Sequence, residues 1–283
     1  MLEFISYKYK MENVMGLDLE KSFKYMFKDP DWKKKFLLGG FFSIGLVLAN
    51  LGQLANNIPD SYYESVFKQM PMEQVIGVLI LLCLIFLVMS VLSVFTSGYF
   101  AKNINLRIFR SDAELLPWNN FSNMFAVGVK ASFAIFIYVL VLLLLIAIPF
   151  VVAAIIAMSG NKALAAFIML VSIVYVLAMF FVFVIYLAAG SLAFSTDLKF
   201  SSYFNFKLIH TFIKKDFLNF FIYFVILFAL NSLIGILNTV LSLTIVGIIL
   251  LPFTTYYQYL VACDIQAQFV RETLELDKRN IQE

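Results

Sequence analysis

Long uncharged stretches alternate with short charged ones: residues 36–59, 74–101, 131–161, 163–196 and 217–263 contain no Asp, Glu, Lys or Arg. A helix needs about 20 apolar residues to cross a hydrocarbon core about 30 Å thick. The first four stretches each fit one crossing. The fifth would make a helix of about 70 Å at ~1.5 Å per residue, so it has to fold back on itself. Asn231, Gly235, Asn238 and Thr239 predict a tight turn near its middle, at roughly 236–239. The pattern therefore predicts an all-α, polytopic membrane fold with six transmembrane helices.

The segments between the spans have a different periodicity. From Asp18 to Lys28, Leu19, Phe23, Met26 and Phe27 recur at helical spacing while Glu20, Lys21, Lys24 and Lys28 cover other faces. That suits a short amphipathic helix in the membrane interface. Asp29-Pro30-Asp31-Trp32 then predicts a corner, with Asp29 capping the next helix and Pro30 in its first turn. Leu116-Pro117-Trp118 predicts a second corner, from which Phe121 to Lys130 leads into span three. In a third segment, Leu198 to Lys215, Tyr203, Phe206, Ile209 and Ile213 share one side. The resulting organisation is a cytoplasmic leader (1–17), one membrane domain (18–276) and a cytoplasmic tail (277–283). Three helix-plus-hairpin units, about 18–110, 117–197 and 198–276, subdivide the domain.

Composition agrees with the pattern: 62% of residues are hydrophobic, 14% are charged, and the mean hydropathy is +0.91. Soluble domains carry about 25% charged residues. Charge placement predicts orientation. With the termini inside, the outer loops (57–72, 158–162 and 236–239) hold only Lys68 and Lys162 of the 21 Lys and Arg. Positive residues stay cytoplasmic in short loops, so both termini are expected inside. No cleavage site follows a short apolar segment, which argues against a secretory signal. Cys83 and Cys263 fall inside spans two and six, where apolar packing is the expected role and a disulfide or a palmitoylated Cys263 the alternative.

Several motifs resemble a known family. FKDPDWKKKFLLGG (Phe27 to Gly40), Gly98-Tyr99-Phe100 and LLPWNNFSNMFAVGVK follow one another along the chain. Together these resemble a bacterial and archaeal membrane family catalogued as domain of unknown function four thousand and thirteen. The matching positions are Asp29, Pro30, Trp32, Gly98, Tyr99, Pro117, Gly128 and Lys130. The tail, with Pro252, Tyr256 and Gln266, fits less closely, since the family pattern more often has Gly-Gln where this chain has Ile265-Gln266. The resemblance implies a multi-pass protein of a bacterial or archaeal cell membrane. In outline it is similar to the membrane domain attached to some glycerophosphodiester phosphodiesterases. It implies no reaction.

Catalytic chemistry has little to build on. No phosphate-binding glycine loop, H-E-x-x-H or paired C-x-x-C occurs, and a lone His210 cannot supply a multi-histidine metal site. No cofactor or metal is expected. No acidic residue lies at the centre of a span, although Asp264 approaches one from the cytoplasmic end and is read as an interfacial or helix-packing residue. Such a group would mark an ion path. Asn50, Gln53 and Asn56 cluster at the outer end of span one as a candidate polar vestibule. Trp32, Tyr99, Trp118, Tyr203, Tyr256 and Tyr257 predict a cytoplasmic-side aromatic belt. Candidate contacts to lipid headgroups are Lys21, Lys24, Lys28, Trp32, Lys33, Lys34, Lys35, Trp118, Lys207, Lys214 and Lys215. Near an anionic leaflet each cation contributes about 1 kcal/mol. The expected role is non-enzymatic, organising lipid, a membrane-protein partner or a second copy through these basic segments. The alternative is a permease for a small or lipidic substrate. Nucleic acid is not an expected partner, because these charges already face phosphate headgroups.

Overall fold

A computed structural model describes residues 17–47, 70–215 and 217–276, and all regular structure among them is helical. Helix α1 (Leu19–Lys24) starts at Asp18, whose side chain accepts from the Lys21 N–H at 2.8 Å, and runs into a 3-10 turn, Tyr25–Lys28. After the corner come α2 (Trp32–Phe42), α3 (Met72–Phe109), α4 (Phe121–Met158) and α5 (Lys162–Asp197). A second 3-10 turn, Phe200–Phe204, precedes α6 (Phe206–Lys214), α7 (Phe217–Ser242) and α8 (Ile245–Leu274). Five of these (α3, α4, α5, α7 and α8) are long and apolar enough to cross a membrane. The chain is a multi-pass, all-helical membrane protein. The first expected span is described only as far as residue 47, through α2 and a further helical stretch at 44–47; its remainder lies outside the described residues.

The last hairpin departs from expectation. Residues 231–239 are helical, and the chain turns at Leu243–Thr244 instead of at 236–239. Thr244 caps α8 by accepting from the Gly247 N–H at 2.9 Å. A Cβ at Gly247 would collide with the Leu241 carbonyl, so the tight return requires glycine there. The Asn residues expected in the turn instead join the two helices. Thr254 donates to Asn238 Oδ1 at 2.6 Å, and Gln258 Nε2 donates to Asn231 Oδ1. In hydrocarbon an amide gains from a partner on the next helix, which outweighs its preference for turns.

Two further differences concern the connecting segments. Residues 121–130 are not a separate lead-in but the first turns of α4, since nothing in that stretch breaks a helix. Leu198 to Lys215 splits at Asn205, whose side chain caps α6 by accepting from the Leu208 N–H at 3.2 Å. Within α6, Ile209 and Phe212 are the buried pair, while Phe206 is exposed.

The chain divides into two compact units, Met1–Gly128 with Leu218–Glu283, and Val129–Phe217. This division cuts across the three consecutive units proposed from the sequence. In the first unit α8 packs against α1, α2 and α3. Its buried positions Pro252, Tyr256, Leu260, Cys263, Ala267 and Val270 recur every three or four residues along one stripe. Glycines permit the close approaches. A Cβ at Gly39 or Gly40 would strike the Tyr256 or Phe253 ring, and one at Gly98 or Gly128 would strike the Met124 or Val94 carbonyl. Along α3, Leu81, Leu84 and Phe86 are exposed, and burial begins only at Thr96. Hydrocarbon is the natural solvent for the first part, and protein packing for the rest.

In the second unit, Tyr138 donates its hydroxyl to the Tyr203 carbonyl at 2.7 Å, Phe194 stacks on Tyr203, and Gly190 leaves room for both tyrosines. Gly160, at φ +88°, turns α4 into α5, and Asn161 caps α5 by accepting from the Leu164 N–H at 3.1 Å. This matches the loop expected at 158–162.

Replacing Gly98 with Ala should destabilise the protein by about 1–3 kcal/mol, the usual cost of overpacking. Gly77→Ala, where an added methyl meets nothing within 4 Å, should not. Thermal unfolding in one detergent compares the two directly.

Candidate functional site

The first unit carries a dense polar cluster where its α1 segment, the 110–118 loop and the ends of α3 and α8 meet. Two ionic centres organise it. Asp29 sits almost fully buried at the corner. Its Oδ1 accepts from the Asp31 N–H at 2.8 Å; its Oδ2 accepts from the Leu115 N–H at 2.9 Å and from Lys35 Nζ at 2.6 Å. Lys35 also donates to the Leu115 carbonyl at 2.8 Å. The expectation that Asp29 caps the helix with Pro30 in its first turn is corrected: α2 begins at Trp32 after Asp31, Pro30 lies outside it, and the Asp29 carboxylate instead joins the corner, α2 and the loop. A buried carboxylate persists only when its charge and lone pairs are matched this way.

The second centre is Arg107 with Asp264, both buried. Arg107 Nε and Nη2 donate to Asp264 Oδ1, and Nη1 donates to the Ala113 carbonyl at 2.8 Å. Asp264 Oδ2 accepts from Ser22 Oγ and Gln268 Nε2, each at 2.7 Å. The guanidinium lies 4.3 Å from the centroid of the Tyr25 ring, within cation–π range. The fit with Asp264 as a helix-packing residue is close, but the sequence reading passed over Arg107. The available signal was an arginine near the end of a long apolar helix, the one position type where an internal partner repays its burial.

These centres fasten the α1 segment to the bundle. Lys21 pairs with Asp112 at 3.0 Å, Tyr257 donates to the Phe23 carbonyl at 2.9 Å, and the Asp18 N–H donates to Gln268 Oε1 at 2.6 Å. The hydrogen bond from Lys21 holds the Asp112 carboxyl below the usual carboxylate range, and burial pushes the Tyr25 phenol well above its ordinary value.

Aromatic residues complete the hub. Trp118 is sandwiched between Phe42, at 4.8 Å, and Tyr99, at 4.0 Å, with both rings nearly parallel to the indole. Tyr256 packs over Gly39 beside them. The expected belt is thus corrected at four positions: Tyr99, Trp118, Tyr203 and Tyr256 are buried, because ring stacking and glycine contacts offer them more than the interface does. Trp32 and Tyr257 stay half-exposed.

The candidate cations separate into two groups. Lys21, Lys24 and Lys35 have carboxylate partners, and Lys35 is nearly buried by them. Lys35 and Trp118 are accordingly internal, not surface-facing. Lys28, Lys33 and Lys34 are exposed and have no ion partner among the described residues; Lys33 lies only beside the Trp32 ring, at 5.9 Å. In the second unit Lys207, Lys214 and Lys215 are exposed on α6 and its end. His210 is tied down: its Nδ1–H donates to the Phe206 carbonyl at 2.7 Å, leaving Nε2 to accept from the Tyr186 hydroxyl at 3.1 Å. Asn50, Gln53 and Asn56 lie outside the described residues. Among the described residues, no three of His, Cys, Asp and Glu come together as a metal site. Both cysteines are free thiols.

A family described as "Protein of unknown function (DUF4013)" matches residues 78–250 of the chain. That span is more than half of the sequence and includes Gly98, Tyr99, Pro117, Gly128 and Lys130, so the chain belongs to that family. The corner at 29–32 and Asp264 lie outside the matched span, whereas Arg107 lies within it. No curated protein and no solved structure matches the chain.

Breaking the Arg107 centre from one side, with Asp264→Leu, should cost about 3–5 kcal/mol by leaving a buried cation unpaired. Joint replacement, Arg107→Met with Asp264→Leu, should recover most of that loss. Thermal unfolding of both variants gives the comparison. Limited proteolysis near residues 18–28 should accelerate in the single variant.

Proposed function

We propose that this member of the DUF4013 family is a six-span, non-enzymatic protein of a bacterial or archaeal cell membrane. In this reading both termini are cytoplasmic, and the basic segments beside the spans organise anionic lipid. A membrane partner or second copy bearing anionic groups would engage the same cations. The observation that carries the reading is the division among the lysines. Those needed for folding are already neutralised, whereas Lys28, Lys33, Lys34, Lys207 and Lys214 point outward without ion partners among the described residues. Exposed Leu19, Phe23 and Phe27 accompany the first group, and exposed Phe206 the second. Cations beside exposed apolar side chains are the chemistry of an interfacial segment on an anionic leaflet.

A permease is the competing reading, supported by the polar seam of Asn231, Gln258, Asn238 and Thr254 between two spans and by Pro252 within α8. Flux in proteoliposomes, abolished by Asn50→Ala with Gln53→Ala, would favour it.

At about 1 kcal/mol per cation, Lys28→Gln with Lys33→Gln and Lys34→Gln should weaken binding to anionic lipid by roughly 100-fold. Native mass spectrometry of gently extracted protein reads this as lost anionic lipid. Equal retention by wild type and variant would sink the lipid reading. For orientation, reporters fused at residues 111–116 and at 243–244 should report the cytoplasmic and outer faces respectively.

A further inference from the structure

The first span does not run as one unbroken helix. Helix α2 ends at Phe42, Ser43 is not helical, and helical structure resumes at 44–47. The Leu46 N–H donates to the Ser43 carbonyl at 2.9 Å, three residues back instead of four. That leaves the Phe42 carbonyl without its usual helical donor, and the Thr96 hydroxyl on α3 donates to it at 2.8 Å. The stretch contains no proline, and a side chain inserted into the helical ladder is a known cause of a kink. A tightened turn of this kind inside a helix often marks a hinge.

Two hydroxyls at the break are unevenly served. Thr96 is fully buried, and its hydroxyl oxygen also lies 2.9 Å from the Leu92 carbonyl, four residues back on its own helix. A hydroxyl has one hydrogen, so full bonding to either carbonyl weakens the bond to the other. Ser43 is as buried as Thr96, yet its hydroxyl has no partner. Serines inside the other helices behave differently. Ser90, Ser93, Ser172 and Ser195 each donate to the carbonyl four residues back, at distances between 2.7 and 2.9 Å. Such back-bonding is the usual outlet for a helical serine, and the break denies it to Ser43.

We propose that Thr96 is a two-position latch on a hinge in the first span. With its hydrogen on the Phe42 carbonyl, the span is held broken at Ser43. With its hydrogen on the Leu92 carbonyl, Phe42 is released to take the Leu46 N–H in a regular turn. Ser43 then regains the geometry from which its hydroxyl bonds the Gly39 carbonyl. Contacts on both sides of the break favour the broken form. The Phe42 ring stacks on Trp118, and Gly45 lies so close to α3 that a Cβ would meet the Met89 carbonyl and the Ser93 side chain. The straight form has a partner for Ser43 and the broken form has this packing, so the two lie near enough in energy for one hydroxyl to decide. The hinge stands apart from the exposed lysines and any lipid they hold.

Solid-state NMR of the full chain in lipid bilayers reads the break through the Phe42 carbonyl and Ser43 Cα shifts. Both should lie off their helical values in the wild type and move to helical values in Thr96→Val. In Thr96→Ser, which keeps the hydroxyl, they should stay where the wild type has them. Helical shifts in the wild type, a break that persists in Thr96→Val, or one that disappears in Thr96→Ser would overturn the latch. Persistence in Thr96→Val would assign the break to the neighbouring glycines. A further variant gives a separate check. Ser43→Ala removes a hydroxyl that has no bond to lose, so its thermal unfolding temperature should match or exceed that of the wild type. A clear fall would show that the hydroxyl is already bonded, and the hinge would then lack its second form.

Discussion

Hydrocarbon offers backbone groups no hydrogen bonds, and every other feature of this protein follows from that. Each peptide unit in the apolar stretches must find its partner within its own segment, and only a continuous helix supplies one at every residue. Helices α3, α4 and α5 accordingly run for 36 to 38 residues, about twice what one crossing needs. Their apolar side chains are free to face lipid, so a large exposed surface of Leu, Ile, Val and Phe is no defect here.

Association between such helices draws little from the hydrophobic effect, since lipid tails are as apolar as leucine. Backbone proximity and polar bonds do the work. Gly98 and Gly128 let α3 and α4 meet main chain to main chain, and Gly39 and Gly40 accept the aromatic rings of α8. Polar bonds then lock the contacts, modestly along the α7–α8 seam and strongly at the Arg107–Asp264 and Asp29–Lys35 centres. The strongest bonds cluster where α3, α8 and the α1 segment converge, so the best-packed part of the first unit is also its most polar.

That arrangement divides the positive charge into two groups. Lys35, Lys21 and Arg107 are held by carboxylates and serve the fold. Lys28, Lys33, Lys34, Lys207 and Lys214 are exposed and have no ion partner among the described residues. A buried lysine and an exposed one look alike in a run such as Lys33-Lys34-Lys35, because helical phase alone turns the third toward Asp29.

The spans were legible in the sequence because their cause is local: absence of charge over about 20 residues is sufficient. The α4–α5 turn was legible for the same reason, since Lys162 interrupts the uncharged stretches there. The last turn was misplaced because Asn231 and Asn238 have the same turn propensity in any context, while a partner on α8 decides whether they turn or bridge. Arg107, the two roles of Asp29 and the burial of Trp118 and Tyr256 were likewise hidden. Each depends on residues dozens to hundreds of positions away, and no local pattern records that Ser22 will meet Asp264. The sequence alone determined which segments enter the membrane, since transfer into hydrocarbon is a property of the segment itself. The tertiary structure decided which polar groups are spent inside and which remain for other molecules, since pairing is a property of two surfaces brought together.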